Sequence, residues 1–342
     1  MLNNRIIVIL IFSLLLISCN SEEYKKYSKN AYVMGTTLEI ILFSNNKNIA
    51  EKIIEEAIIL ARELEKKSSC KIEDSIISIL NKKKEMIIED EFIFDLLERS
   101  YYFATITDGA FDPSLYNLIK LWGFEDDKNR VPKKDEIKES LLKSGYKNIF
   151  IDKNSKKISL KNETSLDLGA IAKGRIVDEI SNFIKKNGIT DFIVNAGGDL
   201  FVSGLFNGKR KWKIAIADPF NKNDVIGLIE ISDMAIVTSG DYERFFVDNG
   251  NIYHHILDPV TGYPVNNGLH SITLIADNTT KADALATALF VMGEEKALNF
   301  VNKDKNLFLI LISGTRDNPK INFSSNISGF KDSTNRWQFS IR

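Results

Sequence analysis

The chain has 342 residues, 44% hydrophobic and 27% charged, with 45 basic and 46 acidic side chains and a formal net charge of -1. That apolar share can fill a core and excludes a disordered tail, and the balanced charge excludes a nucleic-acid groove. Alternating lysines and acids, as in Lys133 to Glu139, read as a solvated surface.

Arg5 is followed by an apolar run, Ile6 to Ile17, ending in Leu16-Ile17-Ser18-Cys19. A bilayer span needs about 20 apolar residues, so this run fits a signal-peptide core better than a permanent helix. A small residue before Cys, with Leu three before it, resembles the bacterial lipobox. The expectation is a signal peptide over residues 1–18 and acylation of Cys19. An uncleaved anchor and an ordinary signal peptide stand as the alternatives. Residues 19–30 are polar and aperiodic and are expected to be a tether, with one catalytic domain over 31–342. With Cys19 acylated, Cys70 has no disulfide partner, and a domain of this size needs none.

Further along, apolar residues from Ile49 to Leu64 recur at helical spacing and predict a helix over about 48–66. A second helix is expected from about Lys173 to a stop at Gly188. A third, from Ala282 to Met292, is apolar almost all round and should be buried. Strands are expected over 38–43, 192–195, 212–217, 226–231, 272–276 and 307–312. Hairpin-like and helix-separated strands are mixed, which gives an α+β class, mixed sheets with packed helices in a single domain. No repeat and no Pro/Gly-rich linker divides it.

Four segments carry chemistry. In the third helix Asp283 and Thr287 lie four apart and share a face. A carboxylate in apolar company is costly without a compensating donor or cation. Either Asp283 is a helix-start acid and Thr287 bonds its own turn, or both oxygens face a hard divalent cation. Asp167-Leu168-Gly169-Ala170-Ile171-Ala172-Lys173-Gly174 puts an acid, glycines and a lysine at a helix mouth, which suits phosphate or a tight packing corner. Asn195-Ala196-Gly197-Gly198-Asp199 reads as a hairpin turn. Thr238 to Arg244 precedes His254-His255-Ile256-Leu257-Asp258, where two of the three histidines sit near an acid. A general base fits that pattern, whereas the spacing does not suit zinc.

Taken together these segments resemble the ApbE family of FAD:protein FMN transferases. Met34-Gly35-Thr36, Gly109 to Pro113, Leu121-Trp122-Gly123-Phe124, Thr261-Gly262 and the four segments above follow the family order from about Val33 to Gly293. The resemblance implies a T-fold-related core. It implies Mg²⁺ held by the Ala170 carbonyl oxygen, Asp283 and Thr287. It also implies FAD contacts from Met34, Ala110, Phe111, Asp112, Asp167, Lys173 and Ile256, with His255 as base and Asp258 in support. Arg244 could steady phosphate or form an ordinary salt bridge. Ser75 to Asn81 matches a family segment, but Ser69-Cys70-Lys71 stands where an aromatic residue often precedes it, which removes an expected flavin-stacking contact.

The activity implied is Mg²⁺-dependent transfer of FMN from FAD to a Thr or Ser hydroxyl of a partner protein, releasing AMP. A Mg²⁺-dependent FAD pyrophosphatase and a flavin-carrying lipoprotein are the alternatives. The expected acceptor is a membrane redox-pump subunit. The expected location is the periplasmic or extracytoplasmic face of a membrane, the bacterial inner membrane in the first instance, reached through acylated Cys19.

Overall fold

A computed structural model describes residues 24–124, 128–334 and 336–342. The expected signal peptide and Cys19 lie outside the described residues. Two strands, β1 (Lys25–Val33) and β2 (Thr36–Ser44), form a hairpin ahead of α1 (Lys47–Ser68), α2 (Ile76–Lys83), β3 (Glu85–Ile87) and α3 (Glu91–Ile106). Short helices α4 (Tyr116–Trp122) and α5 (Lys134–Leu142) precede β4 (Ile149–Asp152), β5 (Lys157–Leu160) and then α6 (Gly169–Lys186). A run of strands follows: β6 (Phe192–Ala196), β7 (Asp199–Ser203), β8 (Trp212–Asp218), β9 (Asn221–Ile231), β10 (Met234–Gly240), β11 (Phe245–Asp248), β12 (Asn251–His254) and β13 (Leu269–Ala276). The chain closes with α7 (Thr279–Met292), α8 (Glu294–Val301), β14 (Phe308–Thr315), β15 (Asn318–Phe323), β16 (Ile327–Lys331) and β17 (Trp337–Ile341).

An eight-stranded sheet, ordered β1-β2-β6-β7-β10-β13-β14-β15, divides the molecule into three layers. The reason is legible in β14, where side chains alternate between two cores. Leu309 and Leu311 face the helices, whereas Phe308, Ile310 and Ile312 face a four-stranded sheet, β16-β17-β9-β8. Both faces are buried, so the strand reads as a continuous apolar run. The helical layer holds α1, α6 and α7, and α1 begins where Asn46 Oδ1 accepts from Ile49 N at 3.1 Å. No helix of the described residues is long and apolar enough to cross a membrane.

Two boundaries differ from the sequence expectation. Residues 25–30, expected in the tether, form most of β1 instead, paired antiparallel with β2 along nine residues. Their polarity follows from their place at the sheet edge, where only Val33 of the strand is buried. Helix α6 starts at Gly169 and not near Lys173, so the glycine-bearing segment is its first turn.

Candidate active site

Two antiparallel helices build the centre of the site. Gly174 of α6 faces α7 so closely that a Cβ there would lie 2.4 Å from the Thr279 carbonyl oxygen and 2.7 Å from Asp283 Cβ. The bare backbone lets Gly174 N donate to Asp283 Oδ2 at 2.8 Å. One turn further along α6, Asp178 accepts from Thr279 N at 2.7 Å and from Thr280 N at 2.8 Å. The contacts form a ladder with steps of four residues in opposite directions, Asp178 with Thr279 and Gly174 with Asp283. Carried one step further, the same spacing would bring Ala170 opposite Thr287, both half-buried.

The electrostatics are concentrated beside this ladder. Lys173 pairs with Asp199, whose side chain is 1% exposed. Asp199 comes from the start of β7, just past the Gly197-Gly198 turn, and lies within hydrogen-bonding reach of Asp283. Burial, then the neighbouring Asp199 charge, pushes the Asp283 carboxyl up to about 8; burial also raises Asp199. Glu243 lies in the same cleft and is pushed up to about 7, first by loss of bulk water and further by Asp199. Burial works against the Lys173 ammonium, but Asp199 and Asp283 outweigh it and hold the proton on. Two buried acids, Asp199 and Asp283, therefore share one lysine, an excess of negative charge that a protein interior tolerates only with protons or another cation.

The remaining segments close on this centre from the sheet end. Gly197 packs against Thr36, a Cβ there falling 2.2 Å from Thr36 Oγ1, so the Met34-Gly35 turn abuts the turn that carries Asp199. Met34 takes φ 58 in that tight connection. His255 follows the β11–β12 hairpin and places Nδ1 3.2 Å from the Arg244 carbonyl oxygen. Burial, then the Arg244 charge, holds its pKa down to about 3, so the ring is neutral. The hairpin rests on Trp122, whose Nε1 donates to Gly262 O at 2.9 Å. The Leu121 to Phe124 and Thr261-Gly262 motifs thus support the His255 loop.

A model of the ApbE family matches residues 34–311. The chain is 32% identical to an FAD:protein FMN transferase of Haemophilus influenzae over 340 residues, covering 96% of this chain and 97% of that one. A second FAD:protein FMN transferase, from Treponema pallidum, is 34% identical over 293 residues, 80% of each chain. The crystal structure of the ApbE protein from Thermotoga maritima superposes with a TM-score of 0.82 at 35% identity, over 88% of this chain and 97% of that one. The flavin transferase ApbE from Vibrio cholerae gives 0.79 at 30% identity, over 88% and 98%. The chain belongs to the ApbE family.

The structure refines several roles expected from the ApbE resemblance. Phe111 and Ile256 are buried at 2% and 5% exposure, with their side chains in the core on the helical side of the sheet. Asp112 spends its carboxylate on Ser114 N at 2.8 Å, Ser114 Oγ at 2.6 Å and Tyr146 N at 3.0 Å, a fastening that shapes the Ala110 turn; burial nonetheless raises its pKa. Asp167 Oδ1 accepts from Gly169 N at 2.6 Å and fixes the start of α6. Asp258 accepts from Val260 N at 2.9 Å and Thr261 Oγ1 at 3.0 Å, so it organises its own turn, not the His255 ring. His254 is a core residue, with Nε2 2.7 Å from Val265 O. In the Ser69-Cys70-Lys71 stretch, where an aromatic was expected, Cys70 is half-buried.

Sequence reasoning missed Asp199, Glu243 and Asp178 as contributors. Asp199 had a usable signal, an acid opening the apolar strand Asp-Leu-Phe-Val-Ser without a local partner. Asp178 continues the four-residue spacing of Ala170 and Gly174. Glu243 had none. Among the described residues no three His, Cys, Asp or Glu side chains converge as a metal cluster. A cation here needs a mixed oxygen set, and a buried carboxylate with surplus negative charge beside a hydroxyl and a carbonyl has the chemistry of a hard-cation site.

Proposed function

We propose that this chain transfers the FMN half of FAD to a Thr or Ser hydroxyl of a partner protein, with Mg²⁺, releasing AMP. The observation that carries this reading is the α6–α7 ladder, in which buried Asp283 bonds Gly174 N beside Lys173 and whose four-residue spacing would bring Thr287 opposite Ala170. Asp283, Thr287 and the Ala170 carbonyl would hold Mg²⁺, which supplies positive charge to the pyrophosphate oxygens when bound. Lys173, kept protonated by its acids, adds a second positive charge toward the phosphates. Met34 and the backbones of Ala110, Phe111 and Ile256 would line the flavin. Neutral His255 takes the hydroxyl proton as the acceptor oxygen bonds to the FMN phosphorus. The bond to the bridging oxygen breaks, and that oxygen leaves with AMP. The loop ordered by Asp258 keeps His255 in place.

The N-terminal reading belongs to the same proposal. Acylation of Cys19 would hold the enzyme at the extracytoplasmic face of the inner membrane, near a membrane redox-pump subunit as acceptor. With β1 beginning at Lys25, the tether shortens to a few residues, so the catalytic unit works close to the bilayer.

The test is intact-mass analysis of a candidate acceptor domain incubated with the chain, FAD and Mg²⁺. The expected result is a gain of FMN minus water that disappears when Mg²⁺ is chelated. Conversion of FAD to FMN and AMP without a mass gain, across several hydroxyl-bearing acceptors, would replace the transferase with a pyrophosphatase.

A further inference from the structure

Asp178 has no part in the chemistry proposed above, yet it ties the two helices that carry it. Its oxygens accept from Thr279 N and Thr280 N at 2.7 and 2.8 Å, and the Thr280 hydroxyl donates to the same carboxylate. Helix α7 already has a local cap, since Asn278 Oδ1 accepts from Lys281 N at 2.9 Å. What Asp178 adds is therefore not helix initiation but a bond to α6.

We propose that Asp178 is a positioning residue that sets the register of α7 against α6, and thereby the distance across the Mg²⁺ ligands. Two facts of the ladder support this. The Gly174–Asp283 bond alone is a pivot, because one contact fixes a point and leaves rotation about it. The Asp178 contacts, one turn away on both helices, remove that rotation and also forbid a slip of about 5.4 Å per turn. The four-residue spacing would put Ala170 and Thr287 at the opposite end of the ladder, where an angular error at Asp178 is carried across the pivot. The inference rests on the reading of Ala170, Asp283 and Thr287 as the metal ligands.

The experiment titrates Mg²⁺ alone into the full chain by calorimetry and measures FAD affinity separately without metal. Asp178→Asn keeps the shape but removes the charge and turns one acceptor into a donor facing a backbone N–H. Its expected Mg²⁺ affinity is about 10-fold weaker, the scale seen for groups that orient metal ligands, with FAD affinity unchanged. Asn278→Ala removes the local cap, leaves the interhelical bond, and should bind Mg²⁺ as the wild type does. If Asp178→Asn does not fold, Asp178→Ser, which keeps one acceptor, is read the same way.

Unchanged Mg²⁺ affinity in the folded Asp178 variant, or an equal loss in Asn278→Ala, overturns the positioning role while leaving the metal site standing. A wild-type chain that binds no Mg²⁺ overturns the metal reading itself, and the positioning role with it.

Discussion

At the scale of single residues, the site depends on one missing side chain and one missing proton. Alanine is a better helix former than glycine by about 1 kcal/mol, so Gly174→Ala would stabilise a free helix. Here its Cβ would meet backbone and the Asp283 stem below 3 Å, and overpacking of this kind costs about 1–3 kcal/mol. Urea unfolding should show net destabilisation; a more stable variant would rule out the close helix contact. His255 is held neutral, its pKa falling to about 3 through burial and Arg244. The native ring stays unprotonated where the unfolded ring, with a pKa near 6.5, takes up a proton, so the unfolded state binds more protons between about pH 6.5 and 3. Stability attributable to this residue therefore falls as pH drops through that window, and His255→Gln should unfold with a shallower acid dependence than the wild type. The same variant should slow transfer by about 100-fold or more while FAD binding holds, and the wild-type rate should lack an acid limb near pH 6.5. An equal loss of binding and transfer would make His255 a cofactor contact.

At the scale of elements, β1 deserves a different account from the one its composition suggests. Its polar sequence resembles a linker, yet its backbone covers the outer edge of β2, whose own side chains Leu38, Ile40 and Leu42 are fully buried. An uncovered β2 would present unpaired N–H and C=O groups beside an apolar strand, a template for association. A chain starting at Val33 should therefore unfold at lower urea and scatter light with rising concentration, whereas one starting at Tyr24 should do neither. Equal behaviour of the two would mean that β1 is dispensable. The elements recognised from sequence are those with a clean period. Helix α1 buries Ala50, Ile53, Ala57, Ala61 and Leu64 along one face, as their spacing requires. Strand β1 has no clean period because exposed Lys29 interrupts the face on which Tyr27, Ala31 and Val33 meet the core, and the α6 start was hidden because its N-cap, Leu168, carries no capping side chain.

At the scale of the whole molecule, the eight-stranded sheet brings together groups that the chain keeps far apart. Lys173 and Asp199 are 26 residues apart, and Gly174 and Asp283 are separated by 109. The sequence by itself determined the mixed α and β class, the buried α7 with its Asp283 and Thr287 on one face, and the family. Those follow from local periodicity and from residue types at fixed spacing. Only the tertiary structure decided that Asp199 neutralises Lys173, that Phe111 and Ile256 turn inward, that Asp258 serves its own turn, and that Asp178 ties α6 to α7. Each of these depends on what a side chain meets across the fold, and hydrogen bonds and charge pairs between distant segments leave no period in the sequence.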